Sequence, residues 1–289
     1  MKTKKHILII SLVLAGFIST PAIAQEERGE RNHNRTYYDN DDEENTLSPV
    51  KYVVPTNGVQ IKKVVIKDLL AEIKIVGSQG KDIVIDVEGL EGIPEKAKGL
   101  KPLYGSGCMD NTGAGVAANE SGGVLTICGA SKGSEDAHYV ITIPKGISLR
   151  IDYNSPFANE DLEIKDVEGE VEVSTLNSDI NCINVTGPLV LNSISGDIDV
   201  KISNLNQNSP TSISLISGDL DITMPTNTTA NLEMGSISGG IYTDFDLKSD
   251  SKKGNLPRVG GNNFETKLNG GGVELNLNNT SGNIYLRKK

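Results

Sequence analysis

Residues 160–200 read EDLEIKDVEGEVEVSTLNSDINCINVTGPLVLNSISGDIDV, and the spacing within this stretch decides the fold. Cut into units beginning at Glu160, Gly169, Ser178, Gly187 and Gly196, its first residues lie nine apart four times running. The third and fifth residues of every unit are apolar: Leu162 and Ile164, Val171 and Val173, Ile180 and Cys182, Leu189 and Leu191, Ile198 and Val200. The eighth is apolar too, as Val167, Leu176, Val185 and Ile194. An alternating pair presents one face to a core and a small residue supplies the corner, so the eighth position is expected to add a third inward contact. No segment of the chain sustains a helical period, which makes the fold all-β.

Beyond Val200 the phrase returns as Ile216-Ser217-Gly218-Asp219-Leu220, Ile237-Ser238-Gly239-Gly240-Ile241, Gly270-Gly271-Gly272-Val273 and Ser281-Gly282-Asn283-Ile284. Gly196 to Gly218 spans 22 residues and Gly218 to Gly239 spans 21, while two nine-residue units make 18. Units of this size cannot bury a core alone and must stack, so the expected fold is a parallel β-helix-like solenoid of short strands with roughly 18–22 residues per coil. A β-sandwich would also use short strands and turns, but gives no reason for constant spacing. The 32-residue interval from Gly239 to Gly271 leaves room for a protruding loop over Asp246 to Asn263. Short alternating strands also precede the repeats, among them Val59-Gln60-Ile61, Val64-Val65-Ile66, Ile73-Lys74-Ile75, Ile83 to Val87, Val124 to Ile127 and Tyr139 to Ile143. Residues 50–289 are therefore read as one elongated domain, with irregular strands over 50–150 and regular repeats over 160–289.

Lys2, Lys4 and Lys5 precede a 12-residue apolar run from Ile7 to Ile18 and the small-residue pattern Ala22-Ile23-Ala24. Residues 1–24 have the form of a secretory signal peptide, and the run is too short for a membrane span. No second long apolar stretch follows, so export to the periplasm, the cell surface or the outer-membrane region is expected without a transmembrane segment. Residues 25–49 carry eight acids and three Arg with almost nothing apolar, which predicts a disordered acidic tether. Without the leader, 25 basic side chains face 38 acidic ones, a balance of −13 that repels nucleic acid and anionic lipid. Trp is absent and aromatic residues are 4%, so recognition must rest mainly on polar edges and shape. With His138 alone inside the folded region, a site with several His ligands is hard to build.

In an oxidising compartment Cys108 and Cys128 are candidates for a disulfide across a Gly-rich segment, although spacing alone leaves connectivity open. Cys182 takes a core position of the repeat and reads as a buried free thiol. If two units make one coil, Asp161, Asp179, Asp197 and Asp219 recur on successive coils about 4.8 Å apart, with Glu163, Asn181, Asp199 and Asp221 in a second column. Like charges opposed across strands repel, so the first column is a candidate calcium ladder; the bland reading is that Asp favours solvated turn starts. No other cofactor is expected. Gly129-Ala130-Ser131-Lys132-Gly133 matches a nucleophile elbow but is followed by a strand rather than a helix. Gly113-Ala114-Gly115-Val116-Ala117-Ala118 matches a dinucleotide fingerprint without its flanking strand and helix. Both read as flexible turns, and the Tyr residues look scattered.

The phrases Gly99-Leu100-Lys101-Pro102, Asp110-Asn111-Thr112-Gly113, the Ser-Gly-Asp units, Ile241-Tyr242-Thr243-Asp244 and Gly282-Asn283-Ile284-Tyr285-Leu286 together resemble the putative adhesin family of exported bacterial β-strand-repeat proteins, akin to autotransporter-adhesin head domains. The resemblance runs from about Lys51 to the C-terminus. It implies a parallel β-helix-like fold at the envelope of a Gram-negative bacterium of the Bacteroidetes, and it brings no catalytic residues. The missing C-terminal barrel segment predicts that the chain does not export itself. The expected function is non-catalytic: an envelope or cell-surface protein whose solenoid contacts a protein or glycan. A polysaccharide-active enzyme on a β-helix and a periplasmic structural or signalling partner stand as alternatives.

Overall fold

The nine-residue period becomes an alternation between two sheets. A computed structural model describes residues 46–55, 58–100, 102–158, 160–247 and 262–289. The expected leader, nearly all of the tether and most of the Asp246 to Asn263 loop lie outside the described residues. The end of the tether is paired: Thr46 bridges Glu91, and the Leu47 N–H donates to the Leu90 carbonyl at 2.7 Å.

The strands are β1 (Val50–Val53), β2 (Lys63–Lys67), β3 (Glu72–Ser78), β4 (Val84–Glu88), β5 (Val116–Ser121), β6 (Val124–Gly129), β7 (His138–Pro144) and β8 (Ser148–Tyr153). The repeats supply β9 (Leu162–Lys165), β10 (Val171–Thr175), β11 (Ile180–Val185), β12 (Leu189–Ser195), β13 (Ile198–Ile202), β14 (Thr211–Ser217) and β15 (Leu220–Met224). The chain closes with β16 (Ala230–Ser238), β17 (Ile241–Thr243), β18 (Asn262–Leu268), β19 (Val273–Ser281) and β20 (Ile284–Lys288). Val59-Gln60-Ile61 is loop rather than strand: pairing starts where the Lys62 and Lys63 N–H groups meet the Gly123 carbonyl.

Two ten-stranded sheets result, ordered β1-β4-β7-β3-β9-β11-β13-β15-β20-β17 and β18-β16-β19-β14-β12-β10-β8-β2-β6-β5. We call them the acidic sheet and the neutral sheet, after their outward faces. Each rung is one strand of the neutral sheet followed by one of the acidic sheet, and rungs pair in parallel. Ile180 lies beside Leu162 and Ile198, each 18 residues away, and Leu220 lies beside Ile198 at a step of 22. Ile180, Ile198 and Leu220 are at most 1% exposed, so the period reports burial directly. One cluster of buried side chains runs from Val54 to Leu286.

The expectation of a wholly parallel β-helix is corrected at both ends, where β1 and β4, β4 and β7, β5 and β6, and β16 and β18 pair antiparallel. Both sheets are therefore mixed. At an end the strand that covers the open edge need not continue a rung, so it can run in either direction; of these pairs only β5 and β6 are joined by a tight turn, at Gly122-Gly123. Rung order departs from chain order as well. β6/β7 lies outside β2/β3, and β19/β20 is inserted between β14/β15 and β16/β17. The strands over 50–150 are thus in register with the repeats, since β2 pairs β8 and β3 pairs β9.

The eighth position divides by sheet. Val167 and Val185 are fully buried, the latter because a bulge at Asn184 resets the alternation before it. Leu176 is half-buried and Ile194 is 48% exposed, correcting the expected inward contact. In β12 period two places Leu189, Leu191 and Ser193 inside, so Ile194 faces out.

The recurring Ser-Gly-Asp phrase now has a physical explanation. Gly218 has φ +128°, and a Cβ there would stand 2.2 Å from the Gly196 carbonyl oxygen; Gly282, at φ +129°, stands in the same relation to Gly218 at 1.9 Å. Glycines stack on glycines at this corner because only a residue without Cβ permits both the left-handed turn and the approach. Beside them Ser193, Ser236 and Asn279 are buried, and their side chains hydrogen-bond carbonyls at the corner.

Candidate functional site

The Asp that follows each corner Gly belongs to the stack itself. The Asp197 N–H donates to Asp179 Oδ1, the Asp219 N–H to Asp197 Oδ1 and the Asn283 N–H to Asp219 Oδ1, each at 2.7 Å. The Gly240 N–H continues the series on Asn283 Oδ1 at 3.0 Å. A carboxylate on one rung thus satisfies the first backbone donor of the next rung. The structure brings Asp161, Asp179, Asp197 and Asp219 into the single column expected, but Asp161 makes no such bond. Asp179, Asp197 and Asp219 each commit Oδ1 to the protein's own backbone. Among the described residues no group of three or more His, Cys, Asp or Glu is placed to hold a metal ion.

Two residues further along each strand, the outward column of the acidic sheet runs Lys74, Glu163, Asn181, Asp199, Asp221, Tyr285 and Tyr242. Lys74 and Glu163 form an ion pair at 2.8 Å. Asn181 Oδ1 is buried without a hydrogen-bond partner. Asp199 is held above the ordinary carboxylate range, first by burial and then by repulsion from Asp221 and Asp197, with Lys201 pulling the other way. Arg287 grips Asp221 at 2.8 Å through Nε and Nη2 and lies 5.2 Å from the centroid of the Tyr285 ring. Tyr285 in turn stacks on Tyr242 with centroids 5.4 Å apart and planes at 18°. Along the chain the tyrosines are scattered, but these two meet in the fold. Aligning the recurring phrases on their glycines does place Tyr242 and Tyr285 where Asp199 and Asp221 stand; the order of the last two rungs, which makes them neighbours, is not in that alignment.

At the other end of the repeats, residues 102–115 lie against the neutral sheet. The candidate pair Cys108 and Cys128 is joined by a disulfide, with Cα atoms 6.3 Å apart. Tyr104 Oη donates to Glu135 at 3.0 Å and Ser106 Oγ to the Gly129 carbonyl at 2.6 Å. Together with Lys67, Asp68, Arg150 and Asp152 they line an open cleft of about 640 Å³. Arg150 is already engaged by Asp152 and Glu172. Burial raises Tyr104 above its ordinary value, with Asp68 adding to the effect.

The turn-like motifs resolve as structure. The Asp110 carboxylate accepts from the N–H groups of Thr112, Gly113 and Gly115, so the amides of the glycine fingerprint are filled by the protein's own carboxylate. Ser131 precedes a single 3₁₀ turn, Lys132–Ser134, rather than the helix an elbow needs. His138 Nδ1 meets Glu72 across the sheet at 2.6 Å on the surface, not Asp136. Cys182 is buried and free, and burial pushes its thiol up to about 12.

The arrangement defines an all-β repeat protein of stacked two-strand rungs that carry one outward side chain per column per rung. Residues 157–287 match the family model described as Toastrack DUF4097, a span that contains every strand from β9 to the C-terminal rung except the final residue. Among solved structures the chain is similar to a "putative cell adhesion protein" from Clostridium sporogenes ATCC 15579, at 14% identity and a TM-score of 0.43, covering 84% of this chain and all of that one. The comparison with curated proteins found no match. Neither similarity extends to the autotransporter-adhesin head domains that the sequence resemblance implied. No helix among the described residues is long and apolar enough to cross a membrane.

Proposed function

We propose that this is a non-catalytic exported protein of the periplasm or cell surface, an adhesin-like module whose parallel rungs form a stiff β-solenoid that presents its faces for contact. The observation that carries this reading is the register of the outward columns. From β9 to β20 each rung adds one side chain in line with the last, so the outward columns present a continuous line of side chains along the stack. Repetition of weak contacts raises avidity without a deep pocket. The acids of the first column support a structural role, because their oxygens hold the next rung. The signal-peptide form of residues 1–24 supports secretion, and a protein or glycan of the envelope is the proposed partner.

The reading that competes with this is an enzyme acting on polysaccharide, supported by the juxtaposition of Asp199 and Asp221 on neighbouring strands, where burial and the neighbouring acids raise Asp199. Two measurements separate the readings. Beads coated with the mature chain are expected to attach to intact bacterial or host cells more than albumin-coated beads do, and protease treatment of intact cells locates the protein. No turnover is expected on a panel of acidic and neutral glycans. Turnover abolished by Asp199→Asn establishes the enzyme, and beads that fail to attach remove the adhesion reading.

A further inference from the structure

The outward face of the neutral sheet carries an open groove. Its floor is the column Ser174, Asn192, Ser214 and Asn278, paired rung by rung in parallel register. Its wall is the column Leu176, Ile194, Ile216 and Thr280, two residues further along the chain and beyond the buried row Thr175, Ser193, Leu215 and Asn279. Ile194 and Ile216 are 48% and 50% exposed, an unusual outlay of aliphatic surface for β-strands whose inner faces are already filled. The groove has a volume of about 410 Å³ and runs across four consecutive rungs.

Two properties single out its occupant. First, neither column contains a charged side chain over these rungs, in a chain whose formal net charge is −10. Asn192, Ser214 and Asn278 make no side-chain hydrogen bond among the described residues, and Ser174 donates to Asn154 at 3.0 Å. At Asn192, Ser214 and Asn278 the floor therefore offers two amides and a hydroxyl that both donate and accept, beside a strip of aliphatic carbon. Second, the line repeats once per rung, about 4.8 Å. An extended peptide advances about 3.3 Å per residue and falls out of step with that repeat. A linear chain of pyranose rings advances close to one ring per rung, with hydroxyls along its edge and C–H groups on its faces.

We infer that this groove binds a linear neutral polysaccharide lying along the stacking direction, with ring hydroxyls on the Ser174–Asn278 column and ring C–H faces on Leu176, Ile194 and Ile216. The inference rests on the adhesion reading and gives it a ligand class. A neutral groove in an acidic protein selects against anionic polymers by repulsion from the surroundings, and its binding is insensitive to salt because no counterion is released.

The test is calorimetric titration of the mature chain with hexamers of neutral hexoses in β-1,4, β-1,3 and α-1,4 linkage, with an oligogalacturonate hexamer for comparison. At least one neutral hexamer is expected to bind, with affinity unchanged between 0.05 and 0.5 M NaCl, and the acidic hexamer is expected to bind more weakly. Replacing two exposed amides in Asn192→Ala/Asn278→Ala is expected to weaken binding about tenfold, since two modest hydrogen bonds are lost. Asp199→Asn, on the opposite sheet, leaves affinity unchanged. All variants are compared at matched melting temperature, and Asn192→Gln/Asn278→Gln provides a folded second variant with the amides displaced. Absence of binding across the neutral panel overturns the inference, as does binding that survives both double variants. Bead attachment to cells by the Asn192→Ala/Asn278→Ala chain separates the two proposals: attachment at the wild-type level leaves adhesion standing while the groove falls, whereas a wild-type chain that never attaches removes the adhesion reading itself.

Discussion

At the scale of single residues, the acid column shows how one side chain serves two opposing terms. Asp197 Oδ1 accepts the Asp219 N–H, while its charge adds to the repulsion that raises Asp199. Asn283 does the same bonding work further along the column without a charge. Asp197→Ala is therefore expected to lower stability by about 1 kcal/mol, through an unmet backbone donor. Asp197→Asn keeps the acceptor and is expected to leave the melting temperature unchanged or higher, as measured by thermal unfolding at pH 7. Asp199 gives a pH dependence of opposite sense to an ordinary salt-bridged acid. Its folded pKa lies above the unfolded value of about 3.9. At neutral pH it is ionised in both states and its charge opposes folding. As pH falls through the folded pKa the native state takes up the proton first, so this contribution to stability improves until the unfolded chain protonates as well. Asp199→Asn is expected to melt higher than wild type at pH 7, with the gap closing toward pH 4.

At the scale of elements, the last rung carries an unusual topological burden. β19 and β20 are the final strands in the chain, yet they lie between β14/β15 and β16/β17. β16 and β17 therefore have no parallel partner until the C-terminus has folded into place. β18 pairs β16 on its far side, a hairpin-like cover that depends on a strand not yet docked. Truncation after Leu268 is expected to detach β16–β18 and expose the interior residues Ile213, Ile222 and Met234. It should bind a hydrophobic dye and yield to protease at residues 225–268, with a lower urea m-value than the full chain. A truncated chain that unfolds with wild-type cooperativity would show that the inserted rung is dispensable. The same insertion explains a limit of sequence reading. The 21-residue step from Gly218 to Gly239 looks like one more coil, but Gly218 contacts Gly282 and Gly282 contacts Gly239.

At the scale of the whole molecule, stacking in register turns each repeated residue into a line, and lines of like charge are tolerated only because water and salt reach them. With Asp161, Asp179, Asp197 and Asp219 in one column and Asp199 and Asp221 beside it, self-repulsion is a collective property. Raising NaCl from 0.01 to 1 M shortens the Debye length from about 30 to about 3 Å. The melting temperature is expected to rise across that range. Calcium and magnesium at matched ionic strength are expected to act alike, because the protein's own amides hold one oxygen of Asp179, Asp197 and Asp219. A rise specific to calcium would place an ion on the remaining oxygens.

The sequence by itself determined the all-β class, the rung length, the buried rows through Ile180, Ile198 and Leu220, and the Cys108–Cys128 pair as a candidate, because apolar alternation and corner glycines are local consequences of the strand and the turn. It also marked the acid column, since equal spacing along the chain becomes equal height along the stack. Only the tertiary structure decided that Ile194 faces outward, that the end strands run antiparallel, that Tyr285 meets Tyr242, and that the last rung fills a gap left by earlier ones. Those features depend on which strand pairs with which. Pairing is settled by the free energy of closing two whole sheets around one core, and strands with nearly identical patterns leave that choice open until the core is assembled.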